Sequence, residues 1–274
     1  MRKIVVGMDG SDGARTALHW AAHEAKMHEA SLTVLLAWNL LGQPGDDFSP
    51  TFDQDDALAA LEGWLADLWL SPGVDVKPEV VCDLAASALV EASSDADLVV
   101  VGSRGLGGFK ELLLGSVSAA VAERASAPVA VVRDTGMLGG RVVVGVDGST
   151  HSLRALRWAA EEARVRQTPL EVVHAWAGSA SPVFGIPFAV PTQHAETAAE
   201  HALTKAIESV DLSGLIVHRR AAEGTAAGVL VEMSSSAAVV VVGSRGRGGL
   251  TSILLGSTSR SLLHHAVCPV VVIR

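Results

Sequence analysis

Hydrophobic positions along the chain follow two alternating patterns: short β-branched runs and longer Ala- and Leu-rich segments with a helical period. The run Leu98-Val99-Val100-Val101 has no polar position between its apolar residues, which predicts a strand that is covered on both faces. Strands of this kind, alternating with helices, form parallel sheets through βαβ crossovers. The pattern therefore predicts an α/β fold.

The same series of elements is predicted twice. We expect strands near residues 3–8, 32–38, 76–82, 97–102 and 128–133, with helices near 13–29, 54–69, 85–94 and 116–125. In the second half we expect strands near 141–146, 170–176, 214–219, 238–243 and 269–274, with helices near 151–167, 193–209, 226–235 and 257–266. The Pro- and Gly-rich stretches 39–53 and 177–192 are interpreted as lids, interaction segments or plain solvated connections.

The two halves are also similar in sequence, which indicates a duplicated domain. Residues 4–11 are similar to 142–149, residues 17–22 to 155–160, and residues 100–118 to 241–259. A Gly-containing stretch separates the halves. We therefore expect one domain over residues 1–135 and a second over 140–274.

Composition and charge exclude several classes of protein. With 49% hydrophobic and 19% charged residues, the chain is not of the disordered class. Its 30 acidic and 21 basic residues give a net charge of −9, which argues against a nucleic-acid partner. Its apolar runs are far shorter than the roughly 20 residues that cross a bilayer, and Asp9 comes before any signal-peptide core could form. We expect a soluble, cytoplasmic protein with no membrane partner and with a small ligand.

Cysteine and histidine spacing predicts no metal site. Cys82 and Cys268 are far apart and lie in apolar runs, so both are interpreted as core thiols. His19 and His23 share a helix face, but no acidic third ligand is placed beside them. Trp64 lies in a helical stripe of leucines, which predicts packing or contact with a partner.

Candidate chemistry follows the fourth predicted strand of each half. Glycine there allows a positive φ and a close approach of a ligand to the backbone amides. A helix that begins at Gly-Ser directly afterwards offers free N–H groups and a positive dipole end to an anion. The spacing Gly-x2-Gly-x9-Gly-Ser occurs at Gly102, Gly105, Gly115 and Ser116, and again at Gly243, Gly246, Gly256 and Ser257. It predicts a phosphate site, with a purely structural strand-to-helix turn as the alternative.

An acidic residue is expected beside each phosphate site. If the strand order is 3-2-1-4-5, the first and fourth strands flank the ligand crevice. Asp9 and Asp147 end the first strands, where a carboxylate suits a ribose hydroxyl or a bound Mg²⁺, or else caps the next helix. Ser11 and Ser149 could cap that helix instead, which would leave the aspartates free.

With these motifs both halves resemble universal stress protein domains, and the whole chain resembles a tandem member of that family. The resemblance implies two tandem doubly wound five-stranded parallel sheets of order 3-2-1-4-5 with helices on both faces. It also implies ATP, with or without Mg²⁺, bound at the glycine-loop amides, with the end of the second strand lining the adenine pocket. The implied binding residues are Asp9, Ala37, Trp38, Gly102, Gly105, Gly115, Ser116, Val117, Asp147, Ala175, Trp176, Gly243, Gly246, Gly256, Ser257 and Thr258.

Three functions remain open from the sequence. The loops lack the P-loop lysine, so efficient ATP hydrolysis is not expected and no catalytic residue is assigned. The leading hypothesis is a nucleotide-dependent regulator of stress response or growth that acts on an unidentified protein partner. The alternatives are a slow ATPase or nucleotidyl-transfer enzyme and a structural interaction module that binds no nucleotide.

The last predicted strand of each half, at 129–133 and 270–274, is apolar and ends its sheet. Apolar edge strands tend to pair. We therefore expect an intrachain pseudo-dimer through these strands, with a homodimer formed through other surfaces.

Overall fold

The computed structural model describes residues 1–38, 53–66, 73–106, 113–133, 139–176, 180–183, 186–189, 192–247 and 255–274. By its internal contacts the chain divides into two compact units, Met1–Asp134 and Thr135–Arg274. Within the described ranges, no helix combines the length and the apolar composition needed to cross a bilayer.

The first unit is a parallel sheet whose strands are connected by helices. Its elements are β1 (Lys3–Gly7), α1 (Asp12–Met27), β2 (Ser31–Trp38), α2 (Gln54–Ala66), β3 (Val76–Cys82), α3 (Ala85–Ala92), β4 (Leu98–Gly102), α4 (Ser116–Arg124) and β5 (Val129–Val132). The strand order is β3-β2-β1-β4-β5, and every pair is parallel. β4 and β5 are buried along their whole length, as expected for apolar runs between two helical layers.

The second unit repeats this arrangement. Its elements are β6 (Arg141–Gly145), α5 (Thr150–Arg166), β7 (Leu170–Trp176), β8 (Ala180–Val183), β9 (Ile186–Ala189), α6 (Thr192–Glu208), β10 (Val217–Glu223), α7 (Ala226–Met233), β11 (Ala237–Gly243), α8 (Ser257–His265) and β12 (Val270–Ile273). Its parallel sheet has the order β10-β7-β6-β11-β12. The predicted order 3-2-1-4-5 is therefore confirmed in both units.

One predicted strand in the second unit had the wrong bounds, and one pair of strands was not predicted. The strand expected at 214–219 begins at Val217 and runs to Glu223, because Gly214 lies in a turn with φ +77 and the polar residues after Val217 belong to the strand. The stretch 177–192, expected to be a connection, contains the antiparallel pair β8 and β9. The corresponding expectation for 39–53 lies outside the described residues, apart from Asp53.

The strands β3 and β10 each lie at one end of the strand order of their unit. Residues 77–79 of β3 and residues 218–220 of β10 are all exposed. These exposed positions include Pro78, which removes a backbone donor, and the charged pair Arg219 and Arg220. Proline and charged side chains are the usual occupants of open sheet edges.

The two cysteines differ in their surroundings. Cys268, next to β12, is buried as expected, and burial raises the pKa of its thiol to about 12. Cys82 is exposed, so the prediction of a core thiol was wrong there. It is the last residue of the edge strand β3, where the sheet no longer covers it.

Candidate functional site

A tight turn joins the first strand of each unit to its first helix. Ser11 accepts a hydrogen bond from the N–H of Ala14 at 3.2 Å, and Ser149 accepts one from the N–H of Ser152 at 3.2 Å. Both serines thus cap their helices, as the sequence allowed. The glycine before each serine adopts a left-handed φ of about 80°, a conformation that an L side chain would strain.

The aspartate of each turn is hydrogen-bonded, although capping by the serines could have left it free. In the first unit, Asp9 Oδ1 accepts from the N–H of Ser11 at 3.0 Å and from its hydroxyl at 2.6 Å, while Oδ2 accepts from the N–H of Leu106 at 3.2 Å. In the second unit, Asp147 accepts from the N–H of Ser149 at 2.9 Å. Each aspartate therefore has an acceptor role at its own turn.

Asp147 also accepts a hydrogen bond from the N–H of Arg247 at 3.0 Å, which matches the contact of Asp9 with Leu106. Burial raises the pKa of Asp147, but the hydrogen bonds from Ser149 and from the Arg247 N–H outweigh it, and the net pKa is lowered. The carboxylate is thus stabilised in its charged form at the contact between turn and loop.

The first two glycines of each motif allow close contacts. A Cβ built on Gly102 would lie 2.5 Å from the Gly13 carbonyl oxygen, and one on Gly243 would lie 2.7 Å from the carbonyl carbon of His151. A Cβ on Gly246 would lie 2.6 Å from Oδ2 of Asp147, and Gly105 contacts Asp9 in the same way. These glycines bring the end of the fourth strand against the turn and the start of the first helix.

The third glycine of each motif is the residue before a helix. Gly115 and Gly256 are the N-cap residues of α4 and α8, and neither helix has a side-chain cap. Their N–H groups donate to the carbonyl oxygens of Ser103 at 2.8 Å and Ser244 at 2.7 Å, which fixes each helix start to the strand end. The first N–H groups of a helix have no acceptor within it. Both starts therefore present donors and a positive dipole end.

Two serines that the sequence analysis missed hold these helix starts in place. The hydroxyl of Ser118 donates to the carbonyl oxygen of Gly102 at 2.6 Å, and that of Ser259 donates to Gly243 at 2.7 Å. They occupy matching positions in the similar segments 100–118 and 241–259, which was the available signal.

In the second unit these elements surround a cavity of about 620 Å³. This volume lies within the range of small-molecule sites. Of the predicted residues, those lining it are Asp147, Ala175, Gly243, Gly246, Gly256, Ser257 and Thr258. We call this cavity the second site, and the matching residues Asp9, Gly102, Gly105, Gly115, Ser116 and Val117 the first site.

The end of the second strand contributes unequally to the second site. Val173 and Ala175 line it, together with Leu230 of α7. Trp176 does not belong to its lining, because successive side chains of a strand point to opposite faces of the sheet. In the first unit, Ala37 and Trp38 end β2 beside Val81 and Cys82 of β3, and their contact with a ligand stays a prediction.

Three basic side chains line the second site. Arg245 and Arg247 line it, and the Nε of Arg245 is buried with no hydrogen-bond partner among the described residues. His151, in the first turn of α5, also lines it. Burial lowers the pKa of His151, and the nearby Arg245 lowers it further. The sequence analysis missed this histidine because the motif has no fixed residue at its position.

The first unit has a basic residue that the motif did not indicate. Arg133 directly follows β5, at the carboxyl edge of the sheet, and donates from Nη2 to the Leu113 carbonyl oxygen at 3.0 Å. Burial lowers the pKa of Arg133, and so does the charge of Arg104. Its place at the carboxyl end of a parallel strand was the signal that could have found it.

The packing of Trp64 is clear in the first unit. A Cβ built on Gly10 would lie 2.8 Å from the indole ring of Trp64, so α2 packs directly on the turn between β1 and α1. The prediction of a packing role is confirmed, and the contact lies beside Asp9.

Two α/β units, each with a glycine loop facing an acidic turn, define a tandem protein of the open parallel-sheet class, in which ligand crevices lie at the carboxyl ends of the strands. The sequence model of the Universal stress protein family matches residues 1–133 and again residues 140–274. A universal stress protein of Mycobacterium tuberculosis is 36% identical over 293 residues, covering 99% of this chain and 96% of its own length. One from Mycolicibacterium smegmatis is 35% identical over 291 residues, with the same shares. The chain belongs to the universal stress protein family.

A solved structure supports the fold. A universal stress protein from Archaeoglobus fulgidus superposes with a TM-score of 0.71 at 23% identity, covering 99% of this chain and 98% of its own.

Proposed function

We propose that the protein is a cytoplasmic regulator that binds ATP in both halves and acts through binding rather than catalysis. The observation that carries this proposal is the second site, a cavity lined by an uncapped helix start and two arginines as well as by apolar side chains. A nucleotide has two parts that match these two kinds of lining, because it joins an anionic phosphate chain to a flat base.

The phosphate end is supported by two kinds of donor. The start of α8 offers backbone N–H groups at Ser257 and Thr258, both of which line the cavity. Arg245 adds a guanidinium whose buried Nε has no partner in the described part of the chain. A buried donor without a partner costs free energy that an anionic ligand would recover.

The base end is supported by the apolar wall. Val173 and Ala175 of β7 lie in it together with Leu230 of α7. Their side chains offer no hydrogen-bond partner, so we infer that they contact a base through its face. In the first half Ala37 takes the position that corresponds to Ala175, and Trp38 stays a candidate beside it.

A binding role fits the aspartates better than a catalytic one. Each accepts hydrogen bonds from its own turn and from the glycine loop. The lowered pKa of Asp147 makes it a weak proton acceptor. A slow ATPase that uses Asp147 as its base is therefore disfavoured. Mg²⁺ is usually held by one or two carboxylates together with the substrate phosphates, so it would enter with ATP.

Regulation would follow from ordering of the site. Phosphates at the start of α8 would bind next to the loop that Asp147 contacts, and would stabilise one arrangement of that loop. We infer that a protein partner recognises the resulting surface.

The test is calorimetry with ATP on the full chain and on variants that place a negative charge at each helix start. Ser116 and Ser257 are exposed first residues of their helices, where Glu is favourable to the helix but repels phosphate. The wild type should bind two ATP molecules, and the double variant Ser116→Glu/Ser257→Glu should bind none. Gln54→Glu, which adds the same charge at the first position of α2, is the matched control and should bind like the wild type. Equal binding by the double variant, or none by the wild type, would refute the proposal.

A further inference from the structure

At three matching positions the second site has a more polar residue than the first site. The second half places a basic or hydroxyl-bearing residue where the first has a residue without such a group. The pairs are His151 for Gly13, Arg247 for Leu106 and Thr258 for Val117. Each second-half member lines the cavity.

At the first pair, Gly13 and His151, the backbone of each unit determines whether a side chain has space. A Cβ on Gly13 would collide with the carbonyl oxygen of Arg104, so the strand-to-helix loop of the first unit occupies the place of a side chain. In the second unit His151 has its Cβ beside Gly243, and its side chain lies in the cavity wall. The first site thus has no room for a histidine at this position.

The second pair, Leu106 and Arg247, shares a backbone contact but differs in its side chains. Leu106 and Arg247 both donate their backbone N–H to the aspartate of the turn. Their side chains have different surroundings. That of Leu106 is apolar and 50% exposed. The guanidinium of Arg247 lies 2.5 Å from the position of a Cβ built on Gly148, at the cavity lining.

The third pair lies in the first turn of the helix that follows the glycine loop. Val117 and Thr258 have similar volumes, but threonine adds a hydroxyl in the second position of α8. A hydroxyl at this position can donate to an anion that the helix N–H groups hold.

We propose, on the basis of the proposed function, that the second site selects nucleotides by the charge of their phosphate chain and that the first site discriminates less. His151, Arg247 and Thr258 are the residues that set this preference. An additional phosphate on the nucleotide adds acceptor oxygens, and the second site has more donors for them. It therefore prefers a nucleoside triphosphate over the monophosphate.

The preference depends on pH through His151. The groups around it are Arg154 on α5, Arg245 after β11, Arg274 after β12 and Asp147 after β6. Three of these are cations, and with burial they disfavour the charged imidazole in the free protein. A bound triphosphate reverses the local charge and raises the pKa, so binding takes up a proton. The preference for triphosphate should therefore increase as the pH falls.

The test isolates each site in the full chain. Ser116→Glu leaves the second site intact and Ser257→Glu leaves the first. For each variant, calorimetry gives the ratio of the dissociation constants of AMP and ATP. We expect this ratio to be about tenfold larger in Ser116→Glu, as one or two charge-assisted hydrogen bonds provide. If either variant fails to fold, Gly115→Asp or Gly256→Asp blocks the same helix start with a favourable cap.

Further substitutions assign the preference to residues. In the Ser116→Glu background, Arg247→Leu and His151→Gln should each lower the ratio several-fold. Arg157→Leu removes a charge from an exposed position of α5 outside the cavity lining and should leave it unchanged. Since the terminal phosphate of ATP titrates in the same range as histidine, His151→Gln also gives the baseline for measurements at pH 6 and pH 8.

The outcomes separate the two proposals. Equal ratios in the two single-site variants, with ATP still bound, would refute selection by charge and leave nucleotide binding intact. A preference that persists in both Arg247→Leu and His151→Gln would refute the assignment to these residues. Absence of binding of both nucleotides to the wild type would refute the proposed function itself.

Discussion

The carboxylate of Asp147 accepts a hydrogen bond from the backbone N–H of Arg247 at 3.0 Å, across a separation of 100 residues. Asp9 and Leu106 form the matching bond at 3.2 Å in the first half. In both units the turn after the first strand and the loop after the fourth strand are therefore joined by a single carboxylate. This bond links the two walls of each site.

Replacing Asp147 by asparagine should loosen this contact. An amide lacks the charge, and its NH₂ group cannot accept from a backbone N–H, so one of the two bonds is lost. We expect a loss of stability of about 1–2 kcal/mol and faster hydrogen exchange at the Arg247 amide. Asp211→Asn is the matched control, because the Asp211 side chain accepts from Ser213 in a similar turn and, among the described residues, has no hydrogen bond to a glycine loop. Unchanged exchange at Arg247 would contradict the prediction.

The contribution of Asp147 to stability should depend on pH in a defined direction. Its pKa is lowered in the folded state, so its stabilising effect is fully present above the pKa of the unfolded chain and is lost as the pH falls through the folded value. The difference in unfolding free energy between the wild type and Asp147→Asn should therefore be largest near neutral pH and shrink in acid. Urea denaturation at a series of pH values measures it. A difference that grows in acid would show that the sign is wrong.

Gly243 should tolerate no side chain. A Cβ there would lie 2.7 Å from the carbonyl carbon of His151 and 2.9 Å from the Ser152 nitrogen, both backbone atoms that cannot rotate away. Gly243→Ala should destabilise the protein by about 1–3 kcal/mol. Gly63, inside α2 with nothing within 4 Å, is the matched control, and Gly63→Ala should stabilise by about 0.5–1 kcal/mol. Urea denaturation distinguishes the two signs.

The two thiols should differ in reactivity. Cys82 is exposed, whereas Cys268 is buried with its pKa raised to about 12, so it holds almost no thiolate at neutral pH. Iodoacetamide should label the native protein at Cys82 alone and label Cys268 only after unfolding. Peptide mass spectrometry identifies the labelled residue, and Cys82→Ser should abolish native labelling. Rapid native labelling of Cys268 would contradict the buried environment.

Much of the fold could be predicted because its central strands are apolar runs without polar interruptions. The buried β4 and β11 follow directly from their valines. The start of β10 could not be found in the same way, because Arg219 and Arg220 face solvent at a sheet edge and leave no apolar pattern. Hydropathy identifies strands by burial, and an edge strand is only partly buried.

The candidate site could be predicted where the backbone imposes a residue type. Gly105 and Gly246 are fixed by the aspartates they contact, and this constraint appears in the sequence as spacing. His151 is not imposed in this way, since Gly13 takes its place in the other half. Only a comparison of the two halves, position by position along the cavity lining, reveals it.

The exposed prolyl and arginyl positions of β3 and β10 have a consequence for the behaviour of the protein at high concentration. Sheets with free, apolar borders grow by adding strands from other molecules, and such growth ends in aggregates. Pro78 interrupts the hydrogen-bonding ladder that an incoming chain would need, and the adjacent cations of β10 repel an identical border. These two strands thus disfavour pairing with the same strand of another copy.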